Sequence, residues 1–392
     1  MSTKAYFSFP TNIYYGAHTY LNSLTDLSLR GHQRPLLVTN KELLQQNFIK
    51  TYLQKSKDEN LRIETFLVSS DPTKTQVDQG ATVYKKHKGD CIIALGGGSA
   101  MDAAKAIALK VNHKEDLFEY EDGLPNPPPI DAKKIPYLIA LPTTSGTGSE
   151  VGRSAVISDD KTKRKVVVFS PHLLPRAVYL DPLLTLNLPP ALTAQTGFDA
   201  LTHLIEAFLA KGFHPLCDAI ALEGFRMIAE NLGKCYLFSK HPQETEDQLY
   251  ARGQMMIAAS MGAIAFQKGL GVTHSCAHAL STVYHLPHGL ANAIMLPFCL
   301  QFNKTVSYLR LSQLAQHGIT SIQTADKFIP WIEELKKALG LPQSLKEAGL
   351  VPDKLETLIK VAIKDGCHQT NPRPVQEEDF RQIFKKAFEI NP

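Results

Sequence analysis

At residues 90–110 the chain reads DCIIALGGGSAMDAAKAIALK: a short apolar run, three glycines and a serine, then alanines and aliphatic residues at helical spacing. That order of strand, small-residue turn and helix is half of a βαβ unit. Similar segments flank it. RPLLVTN at 34–40, RIETFLVSS at 62–70 and IPYLIALPTTSGTGSE at 135–150 each read as a strand closed by turn residues, with helical patterns between them. The alternation predicts an α/β domain built on a parallel sheet. A further pair, KRKVVVFS at 163–170 and RAVYLDP at 176–182, adds strand before Pro189 and Pro190 interrupt the chain. From Ala191 onward apolar residues recur at three- and four-residue steps, as in Phe198, Leu201, Leu204, Ile205, Phe208 and Leu209, and strand-like runs nearly vanish. The expectation is an α/β domain over 1–186 and an all-helical domain over 187–392. A length of 392 residues, beyond the size at which single cores stop growing, agrees with two domains.

Composition narrows the partners. With 42 basic and 38 acidic residues the net charge is +4, and no Lys/Arg block or basic-aromatic pattern would serve a nucleic acid. Six cysteines, Cys91, Cys217, Cys235, Cys276, Cys299 and Cys367, stand far apart with no CxxC pair, as expected of reduced thiols. The leading MSTKAYFSFPTNIYYG lacks a signal-type apolar run, and the longest neutral stretch is broken by Pro287, Gly289 and histidines. A soluble, cytoplasmic protein with no membrane partner is expected.

Two glycine-rich strand ends carry the first chemistry. Gly96, Gly97, Gly98 and Ser99 lie between a buried strand and a helix, where bare backbone N–H groups and the positive helix end favour a phosphate. The run lacks the third glycine of GxGxxG and the lysine of a P-loop, so it reads either as a phosphate cradle or as a tight turn that needs small residues. PTTSGTGSE adds the hydroxyls of Thr143, Thr144, Ser145 and Thr147 at a second strand end, and two such ends in one parallel sheet favour a cofactor cleft.

The second chemistry lies in the helical half. Residues 269–303 hold no Asp, Glu, Lys or Arg, yet they carry His274, His278, His285 and His288. Neutral imidazoles gathered out of water each need a partner. His274 and His278 are four apart, as are Asp199 and His203 in TGFDALTHLIEAF, so each pair shares a helix face and can hold one ion. Asp199, His203 and Glu206 also sit opposite the Phe198/Leu201/Ile205 stripe, which is how a solvated polar face looks. One carboxylate with several imidazoles and no thiolate suits Fe(II) or Zn(II) better than Ca or Mg.

In order and spacing, GGGSAMDAAK, PTTSGTGSEV, VVVFSPHLLPRAVYLDP, the Asp199/His203 helix, GVTHSCAHALSTVYHLPHGLANAIMLP and CHQTNPRP resemble the iron-containing, or group III, alcohol dehydrogenases over nearly the whole chain. The resemblance implies an N-terminal dinucleotide-binding domain followed by a helical metal-binding domain, the architecture shared with dehydroquinate synthase, and a dimer or larger assembly. By the same resemblance the metal ligands are Asp199, His203, His274 and His288, while His278 lines the site without being a main ligand. Gly97, Gly98, Ser99 and Asp102 would lie at the cofactor pyrophosphate, with Thr143, Thr144, Ser145, Thr147 and Lys165 along its cleft.

The implied reaction is hydride transfer between a nicotinamide and a small primary alcohol or aldehyde, the cation stabilising charge on the substrate oxygen. His278 either passes the accompanying proton, through water or a cofactor ribose hydroxyl, or merely orients ligands. Many relatives carry an acidic residue after the first strand to hold the adenosine ribose, where this chain has Asn40 followed by Lys41. Asparagine removes the repulsion toward a 2′-phosphate, so NAD use with NADP tolerated is expected. The run MMIAASMGAIAF at 255–266 and the charge-free segment suggest an apolar pocket for small uncharged substrates. Cys367 aligns with a late loop that borders the family's pocket. Two other readings stay open. A dehydroquinate synthase-like lyase would need basic residues around a phosphorylated substrate, which 269–303 lacks, and a metal-dependent hydrolase would not need the two glycine-rich strand ends.

Overall fold

Residues 9, 11–162, 164–319 and 321–389 are described by the computed structural model. Most of the leading segment read above for a signal peptide, and Lys163 of the KRKVVVFS run, lie outside these residues. The chain divides into two units. One holds Phe9–Thr144 and Gly148–Asn187, and the other holds Ser145–Thr147 and Leu188 onward.

The first unit contains β1 (Asn12–Tyr15), α1 (Thr19–Leu29), β2 (Pro35–Asn40), α2 (Asn47–Asp58), β3 (Glu64–Val68), α3 (Lys74–His87), β4 (Cys91–Gly96), α4 (Gly98–Asn112), β5 (Tyr137–Pro142), β6 (Ser154–Ser158), β7 (Lys165–Phe169) and β8 (Ala177–Leu180). Six strands form a parallel sheet in the order β1-β8-β5-β4-β2-β3. The central strand β4 (CIIALG) is buried along its whole length, and β2 (PLLVTN) everywhere but Asn40, as expected of parallel strands covered on both faces. Alternate residues decide which layer each face meets. Leu37, Ile93, Leu95, Ile139 and Leu141 pack with Leu24 and Leu27 of α1 and Ile49 and Tyr52 of α2, whereas α3 and α4 pack together, α3 against β3 and α4 against β2, β4 and β5. From β2 the chain steps outward to β3 and then returns to the other side of β2 as β4. Direction therefore reverses between β2 and β4, the point where a doubly wound sheet opens a crevice at its carboxyl ends.

One expectation needs refinement. The run at 163–170 is a strand, but it is not part of the parallel sheet: β7 pairs antiparallel with β6 in a separate hairpin. Its burial alternates along the strand, the mark of a sheet with one covered face. RAVYLDP does enter the main sheet, as β8.

The second unit contains α5 (Pro190–Leu209), α6 (Pro215–Phe238), α7 (Glu246–Ala265), α8 (Val272–Tyr284), α9 (His288–Gly318), α10 (Ala325–Ala338), α11 (Leu355–Ala362) and α12 (Glu377–Ala387), with no strand among its described residues. Pro189 and Pro190 begin a helix as well as interrupting the chain. Pro190 is the first residue of α5, where a missing N–H costs nothing because the first turn has no partner to offer it. One core gathers apolar residues of α5, α6, α7, α9 and α10, and a second gathers those of α8, α9, α11 and α12. The MMIAASMGAIAF run lies mainly in the first of these. Met255, Ala258, Ala259 and Ala265 are core residues that pack α7, and Phe266 at the end of the run lies 5.1 Å from the His203 ring. No single helix among the described residues is long and apolar enough to cross a membrane.

Candidate functional site

The polar face of α5 is not solvated. Asp199, His203 and Glu206 are 3%, 5% and 3% exposed, so every polar atom they carry has to be satisfied inside the protein. Helical spacing puts Asp199 and His203 one turn apart, and it does the same for His274 and His278 on α8. His288 opens α9 right after Pro287. At Gly289 a Cβ would fall 2.4 Å from the Gln195 carbonyl oxygen and 3.5 Å from the Asp199 Cβ. Only glycine lets the start of α9 come this close to α5, and that approach delivers His288 to Asp199.

The result is a four-residue cluster. One donor atom from each of Asp199, His203, His274 and His288 lies within 4.8 Å of the other three. Asp199 Oδ1 is 3.3 Å from His288 Nε2 and 3.9 Å from His203 Nε2, and the His203 and His274 rings stack at 4.6 Å. Burial pushes the His203 imidazole down to about 3 and also lowers His288, leaving both rings neutral with lone pairs free for an ion. Burial works against the Asp199 carboxylate, yet His203, His288 and His274 outweigh it and hold Asp199 below the usual carboxylate range. For His274, burial is outweighed in the opposite sense by Glu206, which keeps that imidazole above its ordinary value. Two buried atoms at the cluster, His203 Nδ1 and Asn292 Oδ1, have no hydrogen-bond partner. One hard carboxylate, three imidazoles and unpartnered buried polar atoms fit a divalent first-row cation.

Residues beyond the four predicted ligands hold them in place. Glu206 accepts from the Gly271, Thr273 and His274 amides at 2.9, 2.6 and 3.3 Å, and from His274 Nδ1 at 2.7 Å, which leaves Nε2 of that ring facing the cluster. Asn292 Nδ2 donates to Asp199 Oδ1 at 2.9 Å and lies 3.1 Å from His288 Nε2. Asp365 Oδ2 accepts from His278 Nδ1 at 2.8 Å, and the His278 ring stacks on His288 at 5.2 Å. Glu206 shares the polar face of α5 with Asp199 and His203, but the sequence alone does not mark it as the partner of His274. Asn292 had the available signal of standing four residues after His288. Asp365 had none. His285, the fourth histidine of the charge-free run, is exposed and ends α8 in a left-handed conformation.

The glycine-rich turn lies at the sheet's switch point. Gly96 has φ +155°, and a Cβ there would meet Ala100 Cβ at 2.7 Å, so the strand can turn into α4 only through glycine. Gly97 stands at the helix N-cap and Gly98 and Ser99 in the first turn, with no side-chain cap on their N–H groups. Asn40 reaches in from the end of β2, its Nδ2 donating to the Val68 carbonyl at 3.1 Å and lying 3.4 Å from Ser99 Oγ. The Thr143 amide donates to the Gly96 carbonyl at 2.9 Å, which draws the ends of β5 and β4 together. Uncapped helix N–H groups beside small residues fit a pyrophosphate. Two predicted cofactor residues have protein partners. Asp102 accepts from Ser149 Oγ at 2.5 Å and the Val156 amide at 3.0 Å, tying α4 to β6, and Lys165 on β7 lies 3.8 Å from Asp71 Oδ1. Ser145 and Thr147 group with the helical unit, along with Gly146, whose α-carbon faces Thr196.

A doubly wound sheet with an uncapped glycine turn, and a helical unit with a buried Asp/His cluster, are the parts that an enzyme dependent on a dinucleotide and a metal needs. Residues 10–182 match the family profile described as "Iron-containing alcohol dehydrogenase", and residues 193–388 match "Fe-containing alcohol dehydrogenase family, C-terminal". The chain is 34% identical over 372 residues to the 1,3-propanediol dehydrogenase of Klebsiella pneumoniae, covering 92% of each chain. It is also 34% identical over 394 residues to the NADPH-dependent butanol dehydrogenase of Clostridium saccharobutylicum, covering 97% of each. Among solved structures, the sulfoacetaldehyde reductase of Bifidobacterium kashiwanohense in complex with NAD+ superposes with a TM-score of 0.89 at 25% identity, covering 100% of both chains. The chain belongs to the iron-containing alcohol dehydrogenase family, and it is an oxidoreductase.

Proposed function

We propose that this protein transfers hydride between a nicotinamide dinucleotide and a small primary alcohol or aldehyde, with Asp199, His203, His274 and His288 holding a divalent cation, Fe(II) first and Zn(II) as the alternative. The observation that carries the reading is the convergence of those four donors within 4.8 Å inside the helical unit. Bound there, the cation supplies Lewis-acid polarisation of the substrate oxygen. The chain's own groups do the rest. Gly97, Gly98 and Ser99 offer the pyrophosphate their N–H groups. Thr143, Thr144, Ser145, Thr147, Asp102 and Lys165 are assigned to the cofactor as the family likeness has them. His278, with Nδ1 turned to Asp365, has Nε2 left to take or give the proton that accompanies hydride transfer. The Phe266 ring, 5.1 Å from His203, adds an apolar neighbour suited to small uncharged substrates.

The test is an anaerobic assay of protein loaded with Fe(II) or Zn(II), following reduced nicotinamide over short alcohols and aldehydes. Turnover with short primary members is expected. No cofactor turnover with any of them would sink the reading.

Asn40 supports use of NAD with NADP tolerated, since an amide beside Ser99 puts no negative charge against a 2′-phosphate. A carboxylate in its place should restore that repulsion: in Asn40→Asp, the ratio of kcat/KM with NADP to that with NAD is expected to fall at least about tenfold, the equivalent of roughly 1.4 kcal/mol. An unchanged ratio would refute the assignment. We also propose a cytoplasmic homodimer. Six free thiols, five of them buried, suit a reducing compartment. β1 is the outer strand of the sheet, and its Ile13, Tyr14 and Tyr15 are 39%, 41% and 45% exposed, an edge that a second copy would cover.

A further inference from the structure

We infer that Asp365 is a positioning residue for the reaction: it fixes the hydrogen of His278 on Nδ1, so that Nε2 presents its lone pair. The inference rests on the reading of His278 as the proton carrier given above. It starts from the 2.8 Å separation of His278 Nδ1 and Asp365 Oδ2. A carboxylate only accepts, so the ring nitrogen beside it has to be the one that carries hydrogen. In the neutral ring the other nitrogen is then an acceptor.

Both oxygens of Asp365 are held. Oδ1 accepts from Ser275 Oγ at 2.7 Å and from the Cys367 amide at 2.9 Å, while Ser275 Oγ accepts in turn from the His368 amide at 3.0 Å. Ser275 and His278 are three residues apart on α8 and so share a face, which lets one carboxylate address both. If Asp365 served only to tie the segment after it to α8, the Oδ1 contacts would be enough. Oδ2 instead faces the imidazole, whose ring is clamped a second time by stacking on His288 at 5.2 Å and 22°. His278 is 39% exposed and Asp365 19%, so the carboxylate stands behind the ring and the ring is the more accessible of the two.

The network also dictates what an isosteric change does. In Asp365→Asn, the Cys367 N–H still points at the place of Oδ1, so the amide carbonyl has to take that place. The NH2 group then faces His278 Nδ1, which must become the acceptor, and the ring hydrogen moves to Nε2. The shape of the site is kept while the tautomer is reversed.

The experiment uses the metal-loaded enzyme as wild type, Asp365→Asn, His278→Ala and the double variant. Steady-state kinetics, bound metal and ring-nitrogen NMR shifts of His278 are measured. Asp365→Asn is expected to lower kcat on the order of 10–100-fold, the usual cost of losing a partner that orients a site histidine, with KM and bound metal within about twofold of wild type. Its His278 should carry hydrogen on Nε2, where the wild type carries it on Nδ1. Added to His278→Ala, the substitution should cost nothing further, because the two residues act as one.

Unchanged kcat in Asp365→Asn, with His278→Ala impaired, would overturn this inference alone. So would an equal further loss in the His278→Ala background, which would make Asp365 a loop tie. Wild-type turnover in His278→Ala would instead overturn the proton role on which the inference rests. Should Asp365→Asn fail to fold, the wild-type spectrum decides, since hydrogen found on Nε2 there refutes the assignment.

Discussion

Asp199→Ala is expected to lower kcat/KM for alcohol oxidation by roughly a thousandfold and to strip the protein of its cation. Asp199 is the one carboxylate among four donors, and three neighbouring imidazoles outweigh burial and keep it ionised. Without it the remaining ligands are imidazoles, and a dication has no anionic donor in direct contact to offset its charge. Loss of the Lewis acid removes several kcal/mol of transition-state stabilisation, and each 1.36 kcal/mol is about tenfold in rate. The measurement pairs kcat/KM with metal content, and circular dichroism checks that the helical unit stays folded. A variant that keeps both its cation and its turnover would show that the cluster is not the working site.

Glu206→Ala should be the most destabilising single change at the site, by roughly 3–5 kcal/mol, the range for breaking a buried, hydrogen-bonded ionic partner. The side chain is 3% exposed and its oxygens take three backbone N–H groups at the start of α8 as well as the ring of His274. That helix has no side-chain cap of its own and no acidic residue in its first turn, so α5 supplies the negative charge its N-terminus favours and most of the acceptors, with Asn371 Oδ1 taking the Val272 amide. Glu206→Gln should cost less. The amide carbonyl can still serve the Gly271 and His274 donors that share Oε2, and only the Thr273 amide, on Oε1, is left facing an NH2 group. Denaturant unfolding of the metal-free protein ranks the two variants, and chelator competition should show cation affinity down about 10–100-fold in Glu206→Ala. Equal unfolding of wild type and Glu206→Ala would refute the capping role.

Both expectations depend on residues that were unequally visible beforehand. The strand, glycine turn and helix around residues 90–110 were legible because backbone conformation there is local: buried β-branched runs make strands, and a φ of +155° at Gly96 admits only glycine. The pairing of Asp199 with His203 was legible because a helical period places residues four apart on one face. What that face met was not. A polar stripe opposite an apolar one reads the same whether it meets water or a buried site, and α5 meets the buried site. The antiparallel hairpin of β6 and β7 was missed as a separate sheet for a similar reason, since alternation marks a strand without saying which neighbour it pairs with.

The amino-acid order by itself determined the two-part architecture, the glycine turn, the histidine-bearing charge-free segment and the family to which the chain belongs. Only the tertiary structure decided that Glu206 caps α8 from 68 residues away, that Asp365 reaches His278 across 87, and that Gly289 brings α9 down onto α5. Periodicity is a property of one helix, whereas these contacts arise where two helices or a loop pack together. Their partners are selected by burial and hydrogen-bond satisfaction, which exist only once the chain has folded.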